Sequence, residues 1–213
     1  MSWQEGFSLF IAQARATPTL EWIAIIAATA EVLLAKANKV LLYPAGIIST
    51  LIYTYIFLQP NTKLYADAIL NVYYFVMSIY GWVLWTKRNS GQPLAISKAN
   101  SKDVFLIILL SLGGWAILYF MLTWLFPAII PGYTPSDIAL WDAFISSTAW
   151  VGMWLLARRK IENWIVLNIS NLVAIPIYMN KGMPFTAALT LFLFIVAIFG
   201  YFEWKKQIQP SLA

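Results

Sequence analysis

The stretch ARRKIENWIVLNISNLVAIPIY, residues 157–178, runs from consecutive basic residues into an almost wholly apolar segment. Inside it Trp164, Asn168 and Asn171 recur at steps of four and three, so they share one helical face. An apolar run of about 20 residues is long enough to span a bilayer as a helix. An amide in hydrocarbon without a partner costs several kcal/mol, so these asparagines have to face the interior of a helix bundle, toward each other, a ligand or water. This segment therefore reads as one helix of a polytopic membrane protein with something polar at its centre.

Working outward, six further runs repeat the pattern. The 213-residue chain is 61% hydrophobic and 11% charged, with mean hydropathy +0.72, outside the balance of a soluble domain. Candidate spans are 20–35, 40–58, 64–85, 104–126, 138–156, 161–179 and 185–204. Strict period-two alternation is absent, which disfavours a transmembrane barrel. The expected fold is an all-α membrane protein with seven transmembrane helices. The longest polar connection, TKRNSGQPLAISKANSKD at residues 86–103, reads as a linker and leaves no room for a soluble catalytic domain.

There is no cysteine and no histidine. Disulfides and thiol chemistry are thereby excluded, and most hydrolase and metalloenzyme readings lose their usual base or ligand. Neither a catalytic residue nor a metal or cofactor site is expected. The net charge of +5 sits at helix ends rather than in an aromatic-interleaved patch, which argues against nucleic acid as a partner. With the N-terminus outside, eleven of the 14 Lys and Arg fall on the cytoplasmic side, leaving Arg15, Lys63 and Lys181 opposite. The positive-inside rule thus favours N-outside and C-inside. Ala28-Thr29-Ala30 has the look of a signal-peptidase site, but no basic n-region starts the chain, so residues 3–14 are expected to be an amphipathic segment at the interface.

Two parts of the chain resemble each other. YGWVLWTK (80–87) aligns with FGYFEWKK (199–206), pairing Gly81 with Gly200, Trp85 with Trp204 and Lys87 with Lys206; LLAKANKVLLYPAGIIS (33–49) aligns with LLARRKIENWIVLNISN (155–171). Short similarities of this sort also arise from topology alone, since aromatic and basic residues mark cytoplasmic ends generally; the Leu-Leu-Ala-basic match favours a true repeat. The expected plan is 3+1+3, with two parallel three-helix bundles joined by a linking helix and related by an axis along the membrane normal, a transporter device.

Four of the helices then show a polar stripe. The third span carries Asp67, Asn71, Tyr74, Ser78, Trp82 and Trp85 on one face, the sixth adds Trp164, Asn168, Asn171 and Tyr178, the fifth Ser147, Trp150 and Trp154, and the second Tyr43, Thr50 and Thr54. Interhelical glue, worth about 0.6 kcal/mol per contact, is the alternative for any single polar residue. Converging amides and aromatic rings favour a pathway for a solute with a heteroaromatic ring and hydroxyl groups. Glu31 is expected to pair with Lys36 or with a ligand cation, and Glu162 to form a salt bridge with the basic residues around 158–160. No acidic relay or sodium site is visible.

The segments YPAGIISTLIYTYIF, LYADAILNVYYFVMSIYGWVLW and ARRKIENWIVLNISNLVAIPIY together resemble the PnuC family of vitamin transporters. That resemblance implies a SWEET-like fold, transport of nicotinamide riboside by facilitated diffusion with net uptake driven by intracellular phosphorylation, a homotrimer, and a functional link to a cytoplasmic vitamin kinase. It implies location in the bacterial inner membrane, and thiamine or riboflavin as alternative substrates. The implied organisation is an interfacial segment 1–19, bundles 20–87 and 137–206, a loop and linking helix 88–136, and a tail 207–213. Trp164, Asn168 and Asn171 match the family's substrate-contact positions; Asn71, Tyr74, Trp150, Trp154 and Tyr178 complete the expected site. Asn71 stands where nicotinamide riboside carriers often have Gln, which leaves the vitamin open. A ligand-binding membrane receptor and an intramembrane enzyme are the readings from other classes.

Overall fold

A computed structural model describes residues 3–59, 65–87 and 94–208. Lys63, Arg88 and the tail beyond Ile208 lie outside the described residues, so those parts of the charge count and of the 207–213 boundary have no structural counterpart. Helices α1 (Trp3–Ala16), α2 (Thr19–Lys36), α3 (Leu42–Phe57), α4 (Tyr65–Thr86), α5 (Ser101–Phe120), α6 (Phe126–Ile129), α7 (Ala139–Ala157), α8 (Asn163–Asn180) and α9 (Pro184–Gln207) occupy the expected stretches within a few residues. Among the described residues there is no β-strand, only a single bridge between Ser97 and Lys160.

Three helices are long and apolar enough to cross a membrane alone: 67–86, 101–129 and 184–207. Segments 4–16 and 19–36, bent by 106° against each other, are long and apolar enough only if counted together as one span. The bend follows from Pro18, which sits extended at the start of α2 and cannot continue the helix from α1. α7 and α8 carry amides and hydroxyls of the expected stripes, and α7 also has Asp142 in its first turn; these polar residues lower their hydropathy.

Local sequence explains the other breaks. Asn100 caps α5 by accepting from Asp103 N–H at 2.9 Å while the Asp103 carboxylate accepts from Asn100 N–H at 3.1 Å, a reciprocal capping box. Between α5 and α6, residues 121–125 form a π-turn immediately before Pro127. Pro127 has no N–H to donate and its ring presses on the carbonyl four residues back, so the turn widens there. Pro184 opens α9, where a missing N–H costs nothing.

α2, α3 and α4 pack in sequence, as do α7, α8 and α9; the two triplets meet through α2 against α9 and α4 against α7. α5 rests on α7, and only Asp103 and Leu118 of it are buried, so its apolar surface faces outward. α1 lies along α9, held by Gln13, which donates to Gly182 O at 2.7 Å and accepts from Phe185 N–H at 3.2 Å.

The close contact inside each triplet depends on a glycine. A Cβ on Gly200 would stand 2.7 Å from the Trp164 ring, and one on Gly81 would stand 2.4 Å from the Tyr43 ring. Gly113 of α5 has nothing within 4 Å. Gly81→Ala and Gly200→Ala are each expected to destabilise the protein by about 1–3 kcal/mol, read from graded SDS unfolding, whereas Gly113→Ala should cause no loss.

Candidate functional site

All the helix C-termini at one end of the molecule carry lysine or arginine, and at this basic end the two triplets are tied together. α2 and α7 close with matching turns: Asn38 and Arg159 adopt left-handed φ values of 54° and 52°. Their N–H groups donate back to Ala35 O at 2.9 Å and Leu156 O at 3.0 Å, and the next N–H groups, of Lys39 and Lys160, return to Leu34 O and Leu155 O at 2.9 Å. This is a Schellman closure in both triplets. It makes Asn38 equivalent to Arg159 and Tyr43 to Trp164, one residue out of register with the sequence match that set Ala35 against Ala157.

Across these turns the tryptophans exchange partners. Trp85 of α4 donates its indole N–H to Ala157 O at the end of α7, at 3.1 Å, and Trp204 of α9 donates to Ala35 O at the end of α2, at 2.9 Å. Each bond runs from one triplet to the other. Tyr43 packs edge-on against Trp85 with centroids 5.2 Å apart, Trp164 edge-on against Trp204 at 5.6 Å, and the two tryptophans meet at 6.0 Å. All four rings are buried, so a dry aromatic plug fills the basic end.

Residues 94–100 of the linker strap this plug. Ser97 N–H donates to Arg159 O and Ser97 O accepts from Ile161 N–H, both at 3.0 Å. Arg159 lies 3.8 Å over the Trp85 ring and donates to Leu94 O, while Lys160 pairs with Asp103 at 2.9 Å. The linker is therefore pinned in its second half, which its polar composition does not suggest. Glu162, expected to pair with these basic residues, forms no ion pair among the described residues, where its Oε2 is buried without a hydrogen-bond partner, because Lys160 turns to Asp103 and Arg159 to Trp85.

Below the plug, between α2, α7, α8 and α9, lies a cavity of about 130 Å³. Its walls are Val32, Ala35, Met153, Leu156, Leu167, Leu193 and Ala197, with Glu31, Trp164 and Asn171 as the polar groups. Two of its lining residues hold buried polar atoms without a protein partner, the acceptor Glu31 Oε1 and the donor Trp164 Nε1; native proteins leave few such atoms unsatisfied.

The expected site residues divide. Trp164 and Asn171 line the cavity. Half-buried Tyr74 lies within electrostatic range of Glu31, Asp67 and Tyr178, and Tyr178 within range of Asp67 and Asp142 toward the opposite end. Trp150 packs its ring on Tyr73 at 5.0 Å, and its carbonyl accepts from the Tyr73 hydroxyl at 2.9 Å. Asn71, also half-buried, donates to Asp67 O one turn back at 2.9 Å. Asn168 accepts a long 3.5 Å bond from Asn171 but lines a different concavity, an apolar groove of about 330 Å³ on the outer side of α8 and α9. Trp154, like Ile107 of α5, packs against the Val151, Leu155 and Val166 cluster, and the Arg158 guanidinium lies 4.9 Å from the Trp154 ring centre.

The wider stripes split as well. Ser147 faces Gly114 of α5, Trp82 is exposed, and the hydroxyls of Thr50 and Thr54 bond carbonyls of their own helix at 2.8 and 2.7 Å. Glu31 does not pair with Lys36, whose ammonium stands over the Phe199 ring at 5.4 Å. Tyr43 and Gly46, absent from the expected site, prove to frame it. A glycine one turn beyond a tyrosine-proline pair on an apolar helix was the available signal.

Comparison with known proteins gives concordant results. The family model described as "Nicotinamide mononucleotide transporter" matches residues 18–206. The nicotinamide riboside transporter PnuC of Escherichia coli (strain K12) is 26% identical over 89% of this chain and 87% of its own, and the protein of the same name from Shigella flexneri matches equally. A solved structure titled "Crystal structure of the Vitamin B3 transporter PnuC" superposes with TM-score 0.67 at 19% identity, covering 97% of this chain and 92% of that one; it shares the fold.

Trp204→Phe keeps the ring and removes only its N–H, leaving Ala35 O without that donor. It is expected to cost about 1–3 kcal/mol in SDS unfolding. Because Trp85 closes the same end, the Trp85→Phe/Trp204→Phe double substitution should depart from additivity by more than about 0.5 kcal/mol.

Proposed function

The chain belongs to the nicotinamide mononucleotide transporter family, and from that premise we propose that it carries nicotinamide riboside across the bacterial inner membrane by facilitated diffusion. The observation that supports this most is the cavity between the two triplets, where unpartnered donors and acceptors stand beside aromatic rings. A nucleoside's aromatic ring stacks on such faces, and its hydroxyl groups and amide supply the missing hydrogen bonds.

The remaining elements of this reading are a 3+1+3 plan of seven membrane-spanning helices, with α5 and its π-turn extension as the linking helix, and a SWEET-like fold. The contacts of α2 with α9 and of α4 with α7 support a two-fold relation between the triplets. The basic end is assigned to the cytoplasm by the positive-inside rule, with the N-terminus outside and α1 at the outer interface. At about 130 Å³ the cavity is smaller than the roughly 300–1,000 Å³ of ordinary ligand pockets. Passage of a nucleoside therefore requires the triplets to separate, and release inward requires the tryptophan plug to open. Phosphorylation by a cytoplasmic kinase would keep the imported vitamin from returning, and the outward apolar surface of α5 suits lipid or the neighbours in a homotrimer.

In proteoliposomes preloaded with unlabelled nicotinamide riboside, the protein is expected to accumulate labelled nicotinamide riboside by counterflow. Uptake no faster than in protein-free liposomes would overturn the reading. Calorimetry against nicotinamide riboside, thiamine, riboflavin and their phosphorylated forms identifies the vitamin. Asn171→Leu should abolish binding with unfolding unchanged, whereas Asn168→Leu should weaken it by no more than about tenfold, the worth of one lost hydrogen bond.

A further inference from the structure

We propose that Glu31 sets the charge specificity of the cavity: its carboxylate is the counter-charge that selects a solute bearing a permanent positive charge on an aromatic ring. The proposal rests on the transport reading above and deepens it.

Glu31 belongs to the apolar run AIIAATAEVLL of α2, residues 24–34. Its carboxyl group lies flat against Gly46 of α3, where a Cβ would come within 2.5 Å of Oε1. Gly46 thus leaves the space the carboxyl needs. Oε1 is buried and has no hydrogen-bond partner, and the group lines the cavity.

Among the described residues no cation pairs with it. The ion pairs among the described residues are Lys160–Asp103 and Lys206–Glu203. Lys36 is spent on Phe199, and Arg159 on Trp85 and the Leu94 carbonyl. The cavity wall is otherwise hydrocarbon, apart from Trp164 and Asn171, so an ionised carboxyl there lacks solvation and needs a positive partner.

The surroundings fit one kind of cation. Aromatic rings stand at the same place: Trp164 in the wall, Tyr43 and Tyr74 within electrostatic range of Glu31. A ring nitrogen that is quaternary, as in a pyridinium nucleoside, cannot shed its charge on leaving water, and aromatic faces together with a carboxylate replace its hydration. Asn171, across the cavity, is placed for the hydroxyl or amide edge of the same molecule. A neutral ring of equal shape would leave the carboxylate uncompensated, so charge is discriminated by that difference.

The test compares nicotinamide riboside with its uncharged reduced form, dihydronicotinamide riboside, by calorimetry on the full chain. The wild type is expected to bind the cationic form at least about tenfold more tightly. Glu31→Gln should lose that preference while still binding the reduced form, and Glu31→Asp, which keeps the charge, should retain it. If Glu31→Gln does not fold, Gly46→Ala displaces the carboxyl without removing it and should show the same loss. Retention of the full preference by Glu31→Gln, or by Gly46→Ala where that variant is needed, overturns the assignment of Glu31 alone. A wild type that binds neither form nor thiamine overturns the transport reading itself.

Discussion

At the basic end two buried indole N–H groups tie the triplets together. The last carbonyls of a helix have no intrahelical donor, and in α2 and α7 the Schellman turns leave Ala35 O and Ala157 O open to a further one. Trp204 and Trp85 reach over from the opposite triplet to supply it. Much else follows from those two bonds. Gly81 and Gly200 must stay bare so that Tyr43 and Trp164 can lie flat beneath them. Arg159 must take a left-handed backbone so that its guanidinium covers Trp85, and the 94–100 strap then holds that arrangement in place.

The contrast between plug and cavity is the functional point. Trp85 and Trp204 find acceptors for their indole N–H groups across the basic end, whereas Glu31 and Trp164 in the cavity wall keep buried polar atoms without protein partners. Leaving such atoms unsatisfied costs stability. The small, mostly hydrocarbon cavity keeps water scarce, which raises the value of each remaining polar contact to a solute.

The helices were legible because apolar runs, prolines and caps are local signals. So was the pairing of Gly81 with Gly200 and Trp85 with Trp204. What the sequence could not convey was the partner of each tryptophan, because a period gives the face of a helix but not the helix it meets. α7 shows the limit: it touches α4, α5 and α8, so one stripe sends Ser147 and Trp154 to α5 and Trp150 to Tyr73 of α4. Glu31 failed for a geometric reason as well. Lys36 is five residues on, about 140° around the helix at 3.6 residues per turn, so the expected pair points two ways. The repeat register slipped by one because the match followed Leu-Leu-Ala, whereas the turns are set by the residue that takes positive φ.

The central claim is that the solute sits between the triplets rather than in the larger outer groove of α8 and α9. The chain has no cysteine, so one introduced thiol reports without background. Leu193→Cys places it in the cavity wall and Ile198→Cys in the outer groove. In membranes, alkylation of Leu193→Cys by a small thiol reagent should be slowed by nicotinamide riboside while Ile198→Cys is unaffected. Protection of Ile198→Cys with Leu193→Cys unchanged would contradict the account.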